Sequence, residues 1–431
     1  MPLTDAAAGA GINPGWAAAP GASSLRTAAD GDGMAERRIL VAGAGPVGMV
    51  AAAALAEAGI PVTILEAERD LPDDLRASTF HPPTLDMLER FGVVQPMIGM
   101  GLICPYWQFR DRATGPVATF DLGLLRDDTA HPYRLQCEQW RLTRLLRDRL
   151  AANPDVEFVY DARAEGVRQD ADGVVLEVAR PDGSTEEFAG AFLIGADGAR
   201  SAVRKAVGVG FEGMTIPELY LTLSTPFPFH EAMPDLADIA YISDPEEWFV
   251  LLRTKSLWRL LLPTDPGEPE ATLLAPERLE ARMQGVLPTG TPYALRHRTI
   301  YRVHERVAER YLVGRVALAG DAAHVNNPLG GMGMNGGVHD AMNLASTLIA
   351  VWRGAPVETL GRYERQRRKV ALDVVQAQAL RNRQMLNQRD PATRRAYHDE
   401  LRAIEADPAK HRAHLLRSSL IQSLRDLENV A

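Results

Sequence analysis

The alternation of apolar and polar positions divides the chain into stretches of different character. Ile39 to Val41 is a short apolar run, Met49 to Ala58 an Ala-rich helical stretch stopped by Gly59, and Val62 to Leu65 a second apolar run. Apolar runs separated by a helix predict parallel strands buried on both faces. A helix is expected from Pro83 to Arg90, with proline at its start and Gly92 at its stop. Trp140, Leu142, Leu145, Leu146 and Leu150 recur at helical spacing. Strands follow, with turns at Asp172–Gly173 and Asp182–Gly183, and the last runs from Ala191 to Ile194. Between 211 and 300 the pattern becomes alternating (LYLTLST, DIAYIS, WFVLLRT, LWRLLLPT), which predicts an antiparallel sheet, with a helix near Pro276 to Val286. Val316 to Leu318 forms a further strand, ahead of a glycine-rich turn and a helix from about Met334. Residues 357–385 and 391–428 are helical by period and are expected across the back of the first domain. Residues 1–33 show no period and are rich in Ala, Gly and Pro, so a disordered leader is expected over 1–34.

Composition narrows the function classes. The 431 residues are 46% hydrophobic and 24% charged, an ordinary globular balance. A net charge of −9 argues against nucleic acid as a partner, which calls for a basic face. No apolar run reaches the ~18 residues of a membrane span. Two cysteines, Cys104 and Cys137, without metal-type spacing, point to a reducing cytoplasm and no metal.

Three motifs carry chemistry. Gly43, Gly45 and Gly48, with Pro46 and Val47 between them, give G-x-G-x-x-G between a strand and a helix. Glu66 closes the second strand, where a carboxylate would bond the ribose hydroxyls of an adenosine half. Arg76, in the loop beyond, is either a solvated charge or a partner for cofactor phosphates. The second motif is Gly195–Ala196–Asp197–Gly198, followed by a short basic helix. The third runs from Gly320–Asp321 through Asn335, and its helix start would favour a negative group.

Gly43–Gly48, Gly195 through Arg204 and Gly320 through Asn335, in that order, resemble the group A flavin-dependent aromatic hydroxylases of the para-hydroxybenzoate hydroxylase fold. The phrase RASTFHPPTLDML and the pattern around Tyr301–His304 look most similar to the 3-(3-hydroxyphenyl)propionate hydroxylase branch, without that branch's extra C-terminal domain. The resemblance implies an α/β fold: a Rossmann-type FAD-binding βαβ domain interleaved with a mostly antiparallel substrate sheet, then C-terminal helices. The expected boundaries are 35–110, 136–210 and 305–355 for the FAD domain, 111–135 and 211–304 for the substrate domain, and 356–431 for the helical segment. The resemblance further implies that Glu66 holds the adenosine ribose, Arg76 the phosphates and Asp321 the ribityl chain. Asp197 and Gly198 would serve FAD and reduced nicotinamide, and the Pro328–Asn335 turn, with Gly331, Gly333 and Met334, would face the flavin ring. Gln139 and Gln136 both remain candidates for a cofactor contact. Asn327, where the family usually has proline, and Met332, where glutamine is common, depart from the pattern.

The implied reaction is hydroxylation of a small phenolic or aromatic-acid substrate, with NAD(P)H and O2 as co-substrates and a flavin hydroperoxide as oxidant. No residue is singled out as catalytic; Tyr220, His230, Tyr241 and His304 are the candidates. Trp248, Arg253 and Trp258 are the candidates for substrate contact. A flavin dehydrogenase or reductase on the same scaffold and a non-catalytic FAD-binding module remain the alternatives. A halogenase is disfavoured by the lack of a W-x-W-x-I-P motif. A homodimer is the assembly left to test.

Overall fold

The computed structural model describes residues 37–73 and 77–430. The expected leader and Arg76 lie outside the described residues. The three motif strands are neighbours in one six-stranded sheet. Its order is Leu312–Val313, Val316–Leu318, Phe192–Gly195, Ile39–Ala42, Val62–Leu65, Val156–Val159. All pairings are parallel except the Leu312–Val313/Val316–Leu318 hairpin. The central strands are buried along their whole length, as continuous apolar runs require when helices cover both faces. Ala42 pairs with Gly195, and Gly195 with Leu318. Gly43, Ala196 and Gly320 therefore leave the carboxyl ends of adjacent strands at one edge of the sheet.

A mixed eight-stranded sheet runs His324–Val325, His297–Ala308, Phe211–Thr225, Trp258–Thr264, Phe249–Arg253, Ile239–Ser243, Tyr106–Asp111, Gly115–Asp121. It is antiparallel except where Ile239–Ser243 meets Tyr106–Asp111. Three of the expected domain boundaries fall inside strands: 110 within Tyr106–Asp111, 135 within Arg134–Gln136, and 304 within His297–Ala308. A small sheet of Thr79–Phe80, Arg134–Gln136 and Leu102–Cys104 has a strand order with Arg134–Gln136 at its centre.

The long helix Met332–Trp352 packs on the first helix, Pro46–Glu57, and Gly361–Val370 packs on the long helix. The chain then passes through a π-helical stretch, Ala371–Gln376, into Ala377–Leu386. The later helices correct an expectation. Pro391–Ala406 and Pro408–Ser418 do not cover the back of the six-stranded sheet; they pack on the Gly115–Asp121 strand and the turn after it. Their buried Leu401, Leu415 and Leu416 share a core with Trp107 and Phe120 of the large sheet. Each begins at an Asp-Pro pair: Asp390 accepts the Thr393 N–H at 2.7 Å, and Asp407 those of Ala409 and Lys410 at 3.0 and 3.1 Å.

Candidate active site

Gly43 has φ +101°, and a Cβ there would lie 2.5 Å from the Ala196 carbonyl oxygen, so only glycine lets the first two motif turns touch. Gly45 caps the first helix with open space where its side chain would be and with no side-chain cap on the helix. The amides of Val47 and Gly48 are thus left for a ligand, the arrangement that binds pyrophosphate. Glu66, half-buried, accepts the Ala44 N–H at 2.8 Å through one oxygen and the Glu68 N–H at 3.0 Å through the other. These bonds aim the carboxylate beside the glycine turn and leave it further acceptor capacity.

Val47 is wedged between the third motif and the long helix. A Cβ at Gly320 would come within 2.7 Å of it, and one at Gly337 within 2.6 Å. The fingerprint helix and the Gly320 turn are thereby locked together. Asp321 is exposed on the 3-10 turn Gly320–Ala322, and a buried carboxylate supports that turn from behind. Asp340, fully buried, accepts from Gly320 N–H at 3.1 Å, His324 Nε2 at 2.7 Å and Arg367 Nε at 2.6 Å. Burial opposes its ionisation, but His324 and Arg367 outweigh it and hold the carboxyl near 2. Arg204 makes a second tie, from Nη1 to the Ala322 carbonyl and from Nη2 to Ala199, stacked 3.8 Å over Phe211.

Asp197 spends both oxygens on its own turn, taking Ser201 Oγ, Ala202 N–H and Val203 N–H, with Gly198 at φ +81° beside it. Gln136 is fully buried, accepting from Ser78 Oγ and donating to Thr79 Oγ1. Gln139, half-buried at a helix start, forms no side-chain hydrogen bond among the described residues. Asn335 is buried and staples the 330–335 turn to Thr79 and His81, donating to the Thr79 and Gly331 carbonyls and accepting the His81 N–H. Gly331, at φ +68°, is the N-cap of the long helix, which again has no side-chain cap. Gly333 and half-buried Met334 lie in its first turn, and Pro328 is exposed just before it.

Two uncapped glycine-led helix starts and two accessible carboxylates, on one sheet edge, fit a dinucleotide with an anionic middle and a polyol. Residues 36–378 match the family described as FAD binding domain. The chain belongs to the FAD-dependent aromatic monooxygenases. It is 35% identical to para-nitrophenol 4-monooxygenase of Pseudomonas sp. WBC-3 over 397 residues, 91% of this chain and 95% of that one. It is also 35% identical to 6-hydroxy-3-succinoylpyridine 3-monooxygenase of Pseudomonas putida S16, over 83% of this chain and 90% of that one. The crystal structure of p-nitrophenol 4-monooxygenase from Pseudomonas putida DLL-E4 superposes with a TM-score of 0.83 at 33% identity, covering 88% and 96% of the two chains. A 3-(3-hydroxy-phenyl)propionate/3-hydroxycinnamic acid hydroxylase of Klebsiella pneumoniae, from the branch that the sequence phrases suggest, is 30% identical over 77% of this chain and 59% of that one.

The monooxygenase has a cavity of about 150 Å³ beside the Gly330–Met332 turn. Trp107, Phe109 and Tyr241 of the large sheet line it together with Tyr397, Leu401 and His414 of the late helices, and Arg134 also lines it. Trp107 meets Tyr241 edge-on at 5.9 Å, and Phe109 meets Tyr397 edge-on at 5.3 Å. His414 is pushed down to about 4, by burial first and by Arg417, His411 and Arg134 after it, so its ring is neutral at pH 7.

Of the four catalytic candidates, only Tyr241 lines the cavity. Tyr220 is buried in the sheet against Trp248, with its hydroxyl unpartnered and its pKa raised by burial. His230 takes the Trp258 indole N–H at 3.3 Å, and His304 bonds Thr215 Oγ1 at 2.9 Å. None of the substrate candidates reaches the cavity. Trp248 is 2% exposed within the core, Trp258 lies in a separate core with Phe229 and Leu260, and Arg253 pairs with Asp238 at 3.0 Å. Strand alternation sends Trp258 into a different core from Tyr241, whereas Trp248 shares the core of Tyr241 and is packed there against Tyr220 at 5.4 Å. Trp107, Arg134, Tyr397 and His414 were missed; an aromatic-rich stretch at 106–109 was the one signal for the first.

Proposed function

We propose that this monooxygenase oxygenates a single-ring phenol at the carbon para to its hydroxyl, displacing the substituent there. In both relatives' names the oxygenated carbon is para to the hydroxyl and carries a nitro or succinoyl group. The observation that carries the reading is the aromatic cavity against the Gly330–Met332 turn, with the buried cation Arg134 in its lining.

FAD would be held by the Val47 and Gly48 amides, Glu66, Gln139, Asp321 and the start of the long helix at Gly331–Met334. When bound it supplies the redox chemistry, accepting two electrons from NAD(P)H and delivering one atom of O2 to the ring. The chain's part is to hold the ring still between Trp107, Tyr241 and Tyr397, to keep water out and to place dipoles at the cofactor. With p-nitrophenol, the carbon that gains oxygen loses nitrite. The balance is p-nitrophenol, O2 and NAD(P)H in; benzoquinone, nitrite, water and NAD(P)+ out. The six-stranded sheet is read as the cofactor part, and the eight-stranded sheet with residues 377–418 as the substrate part. Net charge and two free, buried cysteines support a cytoplasmic enzyme without nucleic-acid partners; light scattering reads whether it is a homodimer.

The test is p-nitrophenol-stimulated NAD(P)H oxidation with stoichiometric nitrite and label from 18O2 in the quinone or its reduced product. NAD(P)H oxidation without label, or label without nitrite, would overturn the reading.

A further inference from the structure

Arg134 is 2% exposed, and among the described residues no carboxylate lies within ion-pair distance of it. Its Nε and Nη1 are buried without hydrogen-bond partners, and so is the indole Nε1 of Trp107, over whose ring the guanidinium sits at 5.3 Å. A buried guanidinium without a counter-ion is costly, because its solvation is lost and nothing replaces it. Arg134 lines the cavity, so an anion placed there would neutralise it and satisfy its open donors.

The other charged and titratable groups facing this point are accounted for. Cys104, paired with Arg134 across the small sheet, is held as a thiol by burial. His81 is kept neutral by burial and is bonded to the Gly330 carbonyl at 3.0 Å. His414 is neutral, and the Tyr241 hydroxyl is a side-chain hydrogen-bond partner of the guanidinium, leaving Nε and Nη1 open. Among the lining residues the carboxylate is Glu400, half-exposed and paired with Arg381 at 3.0 Å; Arg417 adds a second cation there.

We propose that the cavity takes its substrate as the phenolate, with the oxyanion on Arg134. This rests on the proposed reaction and deepens it. Glu400, the carboxylate in the lining, is engaged by Arg381, and His414 is too weak a base to take a phenol proton readily, so Arg134 favours a substrate that arrives already ionised. Phenols acidified by an electron-withdrawing para group are then favoured over phenol itself. Arg134 is a specificity-determining residue that touches substrate, and the protein needs no catalytic base for this step.

The experiment uses the oxidised, FAD-loaded enzyme with p-nitrophenol and no NAD(P)H, buffered about one unit below the free phenol's own pKa. Difference spectra should show the yellow phenolate growing in as wild type binds. Arg134→Met should lose that band and bind about ten- to a hundredfold more weakly, and Arg134→Lys, which keeps a charge but not the fork, should recover part of it. p-Nitroanisole, which cannot ionise, should bind wild type more weakly than p-nitrophenol and be indifferent to Arg134→Met. A neutral phenol bound to wild type, or equal affinity for phenol and methyl ether, overturns the inference without any variant. Phenolate binding without nitrite release keeps the anion site and overturns the reaction; nitrite release with the neutral phenol bound does the reverse. Wild type that binds neither form counts against both.

Discussion

Asn327 gives both its backbone N–H and its side-chain N–H to one carboxylate oxygen of Glu305, and takes the Leu329 N–H on its own amide oxygen. The residue that departs from the family's usual proline is thus the anchor that ties the 326–331 turn to the His297–Ala308 strand. Glu305 is fully buried, its second oxygen has no partner, and burial pushes its carboxyl up to about 7 despite the Asn327 bonds. A carboxyl raised in the folded state stabilises while protonated. That contribution is present below the usual 4.5 and is lost as pH rises through about 7. Glu305→Gln keeps an acceptor for Asn327 and cannot ionise. Its melting temperature should gain on wild type as pH rises from 5 to 8; parallel curves would show that Glu305 does not titrate in that window.

Asp340 runs the other way. Its carboxyl, held near 2, contributes stability above about 3.8 that disappears as pH falls toward 2. Asp340→Asn leaves Arg367 buried with a lost charge partner, a change that costs about 3–5 kcal/mol. Urea unfolding at pH 7 should show this loss, and the variant's stability should vary less than wild type's below pH 4. A loss under about 1 kcal/mol would mean that the triad with His324 and Arg367 contributes little.

Gly337→Ala drives a methyl to within 2.6 Å of Val47 and 3.2 Å of the Gly320 Cα. Overpacking of this kind costs about 1–3 kcal/mol, and here it pushes the fingerprint helix away from the third motif, so bound FAD should fall as well. Adding Val47→Ala removes the obstructing methyls and should restore flavin content. If the double variant stays as colourless as the single, the wedge is not what aligns the two halves.

Asp321→Ala should purify with little FAD if this exposed carboxylate holds the cofactor's polyol as proposed, and its apo form should melt close to apo wild type. Flavin absorbance per protein checks this, and a normally yellow variant would move the ribityl contact elsewhere.

The cofactor half was legible because its information is local. Each glycine turn sits within a few residues of the strand and helix that give it meaning, and Gly43, Gly195 and Gly320 announce themselves by spacing. The cavity was not, because Trp107, Arg134, Tyr241, Tyr397 and His414 come from five separate elements. Their convergence depends on which face each strand buries and on where the late helices dock. Helical period in 391–428 reveals an apolar face, as Leu401 and Leu415 show, but not which sheet that face meets. Asp340 and Arg367 were equally hidden, since a buried ion pair between two helices leaves no periodic trace.

The docking of the late helices on the large sheet has a consequence for how such an enzyme diversifies. The cofactor framework, with Arg367 behind the Gly320 turn, is complete by Val370, whereas Tyr397, Leu401 and His414 are encoded after it. One part of the cavity lining can therefore accumulate change, or be exchanged between relatives, while the cofactor framework upstream stays untouched.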